Sequence, residues 1–233
     1  VGIRPTAPSF IFRTGRLGKM AGQEKMKKLL TEWRKYILTE GMKTPADLPE
    51  GSGIAIATEA GTPLFVYTYN GEKLYDPPRS KEGVPEDAPW GEVVTQKLSR
   101  NCLNGYMVQH SAAKTGWGPL LYDVAMEWAT AQGGGLTSDR GSVSKDAYLV
   151  WDYYLRKRKD VEAAELDILN RGYEKITPDD ESDDCEQVVS IRWARNSNND
   201  KDWGWSAEPT AYLYRVSGTP TTDALRKAGK LEE

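Results

Sequence analysis

Five consecutive residues, Lys114-Thr115-Gly116-Trp117-Gly118, have the types and spacing to hold an anion. Glycine at 116 and 118 lets the backbone turn and bring its N–H groups against a ligand with no Cβ in the way. Pro119 suits the first position of a helix, where a missing N–H costs nothing. Leu120, Leu121, Val124, Trp128 and Ala131 then repeat at helical spacing. The segment before the loop, Leu103 to Ser111, is apolar and aromatic enough for a strand. Strand, glycine turn, helix gathers N–H groups at a helix N-terminus, where the macrodipole also favours negative charge. A pyrophosphate is the natural guest. A strand-to-helix turn that binds nothing has the same pattern, so both readings stand at this point.

Side chains able to move protons are few. His110 is the sole histidine, and histidine is the side chain that ordinarily titrates near neutral pH. It reads either as a general base just upstream of the loop or as a solvent-facing residue. Tyr154 has a hydroxyl able to protonate a leaving thiolate, although its place on a helical stripe also reads as core. Glu59 and Glu92 fall on strands without an identifiable partner. One histidine argues against a histidine-based zinc site, and no metal is expected. The acidic run from Pro178 to Glu186 reads as a solvated loop, since the order of ligands and glycine of an EF-hand is absent. Cys102 and Cys185 lie far apart without CxxC spacing. One disulfide between them is open, but a reduced, cytosolic-type protein is the expectation.

The elements that must position these groups are legible from periodicity and punctuation. Residues 1–22 hold Pro5, Pro8, Gly15, Gly18 and Gly22 and no period, which predicts a disordered or extended N-terminal leader. Residues 23–41 read as an amphipathic basic helix, with Met26, Leu29, Leu30, Trp33, Ile37 and Leu38 on one face of Glu24 to Glu40 and Gly41 as its stop. That helix packs on its own body or docks on a protein partner. Ile54 to Glu59 and Leu64 to Tyr69 read as strands, Asn70-Gly71 as a hairpin turn and Glu72 to Tyr75 as a third strand. Gly91 to Leu98 resumes strand character after a proline-rich loop. Leu136-Thr137-Ser138 is a short strand, and Lys145 to Lys159 a helix capped by Ser144. Val161 to Leu169 reads as a short helix, Val188 to Trp193 and Ala211 to Val216 as strands, and Thr222 to Gly229 as a terminal helix.

Composition bounds the function classes. The chain has 233 residues and a mean hydropathy of −0.63, which fits a polar globular protein with one large domain. Its net charge of −3 gives no global argument for nucleic acid. Residues 1–40 carry nine Lys/Arg and three Asp/Glu, however, so a basic arm precedes an acidic body. Eight Trp and twelve Tyr against three Phe raise the prospect of a binding surface. No apolar run reaches membrane-spanning length.

This order of helix, antiparallel strands, strand, glycine loop, helix, strand, helix and further strands resembles the GCN5-related N-acetyltransferase family. That family's loop pattern is Arg/Gln-x-x-Gly-x-Gly/Ala followed by a helix with Leu-Leu. Here Gly116 and Gly118 match, Leu120-Leu121 follow, and Ala113 stands at the Arg/Gln position. A second pattern, Asn-x-x-Ala-x-x-apolar-Tyr, falls on Ser144, Ala147, Val150 and Trp151. Trp151 replaces the tyrosine that often protonates the departing thiolate. The stretches GWGPLLYDVAMEWAT, GGGLTSDR and VSKDAYLVWDYYLRKR are similar to acetyltransferase-like proteins encoded by tailed bacteriophages.

The resemblance implies an α+β fold with a mixed, mostly antiparallel central sheet flanked by helices, its core over residues 50–160. Residues 161–233 complete the sheet or form a small added subdomain. It implies acetyl-CoA as co-substrate, held by Lys114, Thr115, Gly116, Trp117 and Gly118. The strand near Val108 would pair with the pantetheine arm, and His110 and Tyr154 are the catalytic candidates. The implied function is transfer of an acetyl group to an unknown amine, in the cytoplasm. The alternative is a non-catalytic phage structural or host-interaction protein of the same fold, with a virion location. A groove open between the central strands beside Gly116 favours the first, and one plugged by Trp117 or Trp151 the second.

Overall fold

A computed structural model describes residues 42–78, 82–98, 102–139, 143–166, 180–185 and 209–233. The chain divides into residues 1–39 and 40–233, and every described residue belongs to the second part. The leader, the basic helix with its expected partner contact, and the strand expected over Val188 to Trp193 lie outside the described residues.

The described elements are β1 (Ser52–Glu59), β2 (Thr62–Tyr69), β3 (Glu72–Lys73), β4 (Gly91–Lys97), β5 (Tyr106–Ala113), α1 (Gly118–Ala131), β6 (Leu136–Thr137), α2 (Lys145–Lys157), β7 (Val161–Glu165), β8 (Tyr212–Val216), α3 (Pro220–Lys227) and β9 (Leu231–Glu232). The strands make one sheet in the order β7-β8-β6-β5-β4-β2-β1-β9, with β3 beside β2. Among the described residues only β5 with β6 and β1 with β9 run parallel. The fold is therefore α+β with a mostly antiparallel sheet and helices packed against it.

Local sequence explains the hairpins. Ala60-Gly61 and Asn70-Gly71 both hold two successive left-handed residues, with φ of 49° and 82° in the first and 49° and 81° in the second. This is the turn whose twist matches the flanking strands, and Asn-Gly favours it most. In β2, Leu64 to Thr68 are all buried, so the strand is apolar nearly throughout rather than alternating.

The core forms where α1 lies on the sheet. Leu120, Leu121, Val124, Ala125, Met126 and Ala129 are buried, and each large apolar side chain so placed contributes about 1.5–3 kcal/mol over exposure. Trp128 reaches across β4, meeting Phe65 of β2 edge-on at 5.6 Å and Tyr106 of β5 at 4.9 Å. Trp151 of α2 stacks on Tyr214 of β8 at 5.3 Å and meets Tyr122 of α1 edge-on at 5.2 Å. Glu127 is buried on α1, yet its carboxylate accepts from the N–H groups of Thr221 (2.7 Å) and Thr222 (2.8 Å) and from the Thr222 hydroxyl (2.8 Å). A buried acid is tolerated there because it meets the positive end of α3. The chain then returns through β9 to pair Leu231 with Ile54 of β1.

Three expectations are corrected. Residues 161–165 form a strand instead of the start of a helix, paired in register from Val161↔Val216 to Glu165↔Tyr212. The alanines and glutamates of this segment favour helix locally, and the β8 partner overrides that weak preference. Within the acidic run, Asp183 and Asp184 are buried instead of solvated. Cys102 and Cys185 form a disulfide, with Cα atoms 4.7 Å apart, against the expected reduced pair. Their sequence separation of 83 hid a proximity that only the fold creates. Among the described residues no helix is long and apolar enough to cross a membrane. None of them form a group of three or more metal-ligating side chains.

Candidate functional site

β5 pairs with β4 along its whole length, from Lys97↔Tyr106 to Gly91↔Ala113. With β6 it pairs only at Tyr106↔Leu136 and Met107↔Thr137. Beyond that point, from Val108 to Ala113, no strand among the described residues lies on this edge. β6 ends where this pairing ends while β5 runs on from Val108 to Ala113, and this end of the pair is the fork. The free arm presents backbone donors and acceptors of the kind an extended ligand pairs with. The β4–β5 register also jumps, from Val94↔His110 to Thr95↔Val108. Gln109 is thus an extra residue in β5, a bulge that re-aims side chains. Gln109 and His110 are in consequence both exposed, where strict alternation would bury one.

The free arm runs straight into the glycine loop. The Lys114 N–H donates to the Trp90 carbonyl at 2.9 Å, and the Trp117 N–H donates to the Lys114 carbonyl at 2.9 Å. Gly116 between them has φ of 86°, a conformation that favours glycine. The N-cap of α1 is Trp117, which supplies no side-chain cap. The N–H groups of Thr115, Gly116 and Gly118 meet no acceptor among the described residues. A Cβ on Gly118 would touch only the Ala113 Cβ, at 3.8 Å. Packing within the protein therefore gives no reason for glycine at 118, whereas close approach of a ligand to the backbone does.

The side chains named from the sequence distribute unevenly around this loop. Thr115 is exposed, and Val108 is buried at the base of the free arm. Lys114 turns its ammonium to backbone carbonyls of the preceding loop, 2.5 Å from Asp87 O and 3.5 Å from both Glu86 O and Ala88 O. It braces that loop instead of supplying a phosphate contact. Trp117 packs edge-on against Tyr67 of β2 at 5.7 Å, and its carbonyl accepts the Tyr67 hydroxyl at 2.7 Å. With its ring buried and its N–H engaged, Trp117 leaves the set of ligand contacts.

Tyr154 is also corrected. Its ring is buried, and its hydroxyl donates to Asp123 Oδ1 at 2.8 Å. Burial, reinforced by the Asp123 carboxylate, holds the phenol well above its ordinary pKa. Arg158 binds the same Asp123 oxygen at 2.9 Å, so this trio ties the C-terminal end of α2 to α1. A proton shuttled to a leaving group needs a reachable hydroxyl, and this one is committed to the core.

His110 is 61% exposed, with Nε2 3.6 Å from Glu92 Oε1. The fold thereby supplies the partner that Glu92 lacks in the sequence. Tyr122 is the residue that sequence reasoning missed. Its hydroxyl lies 2.9 Å from Ser111 Oγ on the free arm of β5. Burial pushes this phenol up to about 12, against a smaller pull from the Ser111 hydrogen bond. Nothing local marks Tyr122, because its position depends on how α1 lies over β5. Of the two tryptophans named as plugs, Trp117 packs on Tyr67, and Trp151 stacks on Tyr214 of β8 and meets Tyr122, whose hydroxyl reaches the free arm at Ser111.

Comparison of the chain with protein-family models, curated proteins and solved structures found no match.

Proposed function

We propose that this protein binds acetyl-CoA in the fork between β5 and β6 and transfers the acetyl group to an amine, as the likeness to the acetyltransferase family implies. One observation carries the reading. The unpaired arm of β5 ends in a glycine turn whose Thr115, Gly116 and Gly118 N–H groups meet no acceptor among the described residues, at the N-terminus of α1. Those three amides, with the α1 dipole, suit a pyrophosphate. The edge from Val108 to Ala113 suits the amide-bearing pantetheine arm. Bound there, the thioester supplies an activated acyl group. Backbone N–H groups near Val108 to His110 are placed to polarise its carbonyl. His110 accepts the proton of the attacking amine directly or through water, and the neighbouring Glu92 carboxylate faces the imidazolium so formed.

A second reading has its own support. Tyr154 is buried and Trp151 lies in an aromatic stack. Neither offers α2 a reachable acid for the departing thiolate. This favours a protein of the same fold that binds without chemistry, such as a phage structural or host-interaction protein.

Acetyl-CoA calorimetry on the wild type and on Gly118→Val tests the proposal. The added isopropyl group fills the approach to the amides at a site where a Cβ has room. Binding by the wild type that weakens by at least about 10-fold in the equally stable variant is expected, a difference of about 1.4 kcal/mol. No binding by folded wild type overturns it. Given binding, loss of amine acetylation in His110→Ala with affinity retained supports the enzyme, and binding without transfer in the wild type supports the second reading.

A further inference from the structure

The fork has a closed end, and the disulfide lies there. Cys102 opens the turn into β5, where Leu103 and Asn104 hold φ of 50° and 55°. Asparagine adopts this region readily but leucine rarely does, so the turn is strained at Leu103 and persists where its surroundings hold it. The Leu103 N–H donates to the Ser182 carbonyl at 2.8 Å, and the Gly105 N–H to the Cys102 carbonyl at 2.8 Å. The Cys102–Cys185 bond fastens the same turn to the segment 180–185. Directly beyond, the Tyr106 N–H donates to Gly135 O at 2.8 Å and opens the short β5–β6 ladder. The fit is close: a Cβ on Gly105 would come within 2.4 Å of Leu213 Cδ1. Both cysteines are buried, in a small cluster with Leu166 and Leu213.

We propose that Cys102–Cys185 is a redox-controlled lock on the fork. A dithiol reductant attacks one sulfur, the S–S bond breaks, two cysteine thiols form with two electrons and two protons taken up, and the reductant becomes a disulfide. Burial confines the attack to moments when segment 180–185 opens. Reduction removes the covalent tie on the left-handed turn and leaves it to hydrogen bonds, among them Leu103 N–H to Ser182 O, Leu98 N–H to Gly105 O and the Lys97 ammonium to Asn104 O. The turn relaxes, and the two-residue β5–β6 ladder loses its anchor. In the oxidised state the closed end of the fork keeps its geometry; in the reduced state the ladder at Tyr106 and Met107 frays, while β4 still holds β5 on its other side. The consequence for acetyl-CoA rests on the function proposed above, while the fraying does not.

The test is hydrogen–deuterium exchange of the full chain, oxidised, reduced with dithiothreitol and reoxidised, with acetyl-CoA calorimetry on the same samples. Exchange over residues 103–107 should accelerate by at least about 10-fold on reduction, as local opening does, and recover on reoxidation. Far-ultraviolet circular dichroism should stay native throughout. Unchanged exchange in that segment overturns the lock, as does global unfolding on reduction, which would make the bond a general staple. Two alkylatable thiols in protein purified without reductant also overturn it. The Cys102→Ser/Cys185→Ser double variant should match the reduced sample. If the oxidised protein binds no acetyl-CoA, the proposed function falls, and the exchange result still decides the lock.

Discussion

The N-termini of α1 and α3 pose the same physical problem and receive opposite answers. Each helix start leaves N–H groups with no partner inside the helix. At α3 the fold commits a buried acid to them: Glu127 reaches across from α1 and accepts from Thr221 and Thr222. At α2 the Ser144 hydroxyl accepts from the Ala147 N–H at 3.2 Å. At α1 nothing comparable is present among the described residues: Trp117 supplies no side-chain cap, and the Thr115, Gly116 and Gly118 amides meet no acceptor. A fold that closes two of its helix ends and leaves open the one beside a glycine turn has donors to spare there for a ligand, and this contrast is the ground for the acyl-CoA reading.

The contrast breaks most directly at Glu127. Glu127→Ala should cost about 3 kcal/mol, because it orphans the Thr221 amide and the buried Thr222 amide and hydroxyl. Denaturant midpoints measure it, and a loss under about 1 kcal/mol would mean that the α3 end needs no acid. Tyr67→Phe removes the hydroxyl that holds the Trp117 carbonyl at α1. Its expected cost is about 1–2 kcal/mol, with acetyl-CoA affinity falling as the loop loosens. Ser144→Ala should cost about 1 kcal/mol and leave that affinity unchanged, since its cap serves only α2.

Asp160→Asn sets the scale of a surface ion pair whose carboxylate caps none of the three helix starts. The Arg158 guanidinium holds the Asp160 carboxyl below its ordinary pKa. The carboxylate therefore stabilises the fold above the unfolded pKa, near 4, and loses that contribution as pH falls through the lower folded value. A difference between wild type and variant of under about 1 kcal/mol at pH 7 should vanish in strong acid, as pH-dependent denaturation would record.

Much of the frame was readable before folding. The Asn70-Gly71 turn, the strand before the loop and the helices at 145–157 and 220–227 follow from period, caps and turn residues, and they hold to within a few positions. The site was readable as a backbone motif and much less as a set of side chains. Lys114 and Trp117 share the loop with Gly116, yet their side chains answer to Asp87 and Tyr67, at distant positions in the chain. Tyr154 lies on a helical stripe whose neighbours Trp151 and Tyr214 turn it into core. His110 and Glu92 became a pair only once β4 and β5 were laid side by side.

The sequence by itself determined where the chain turns, where it runs straight and where its backbone is bare enough for a ligand. Those properties are set by φ preferences, missing Cβ atoms and the period of apolar residues, all of which act within a few positions. The tertiary structure alone decided that β6 stops pairing after Thr137, that residues 161–165 are a strand, that Cys102 meets Cys185 and that α1 keeps an uncapped end. Each depends on which distant segment supplies a hydrogen-bond partner or a packing surface, and no local preference encodes that choice.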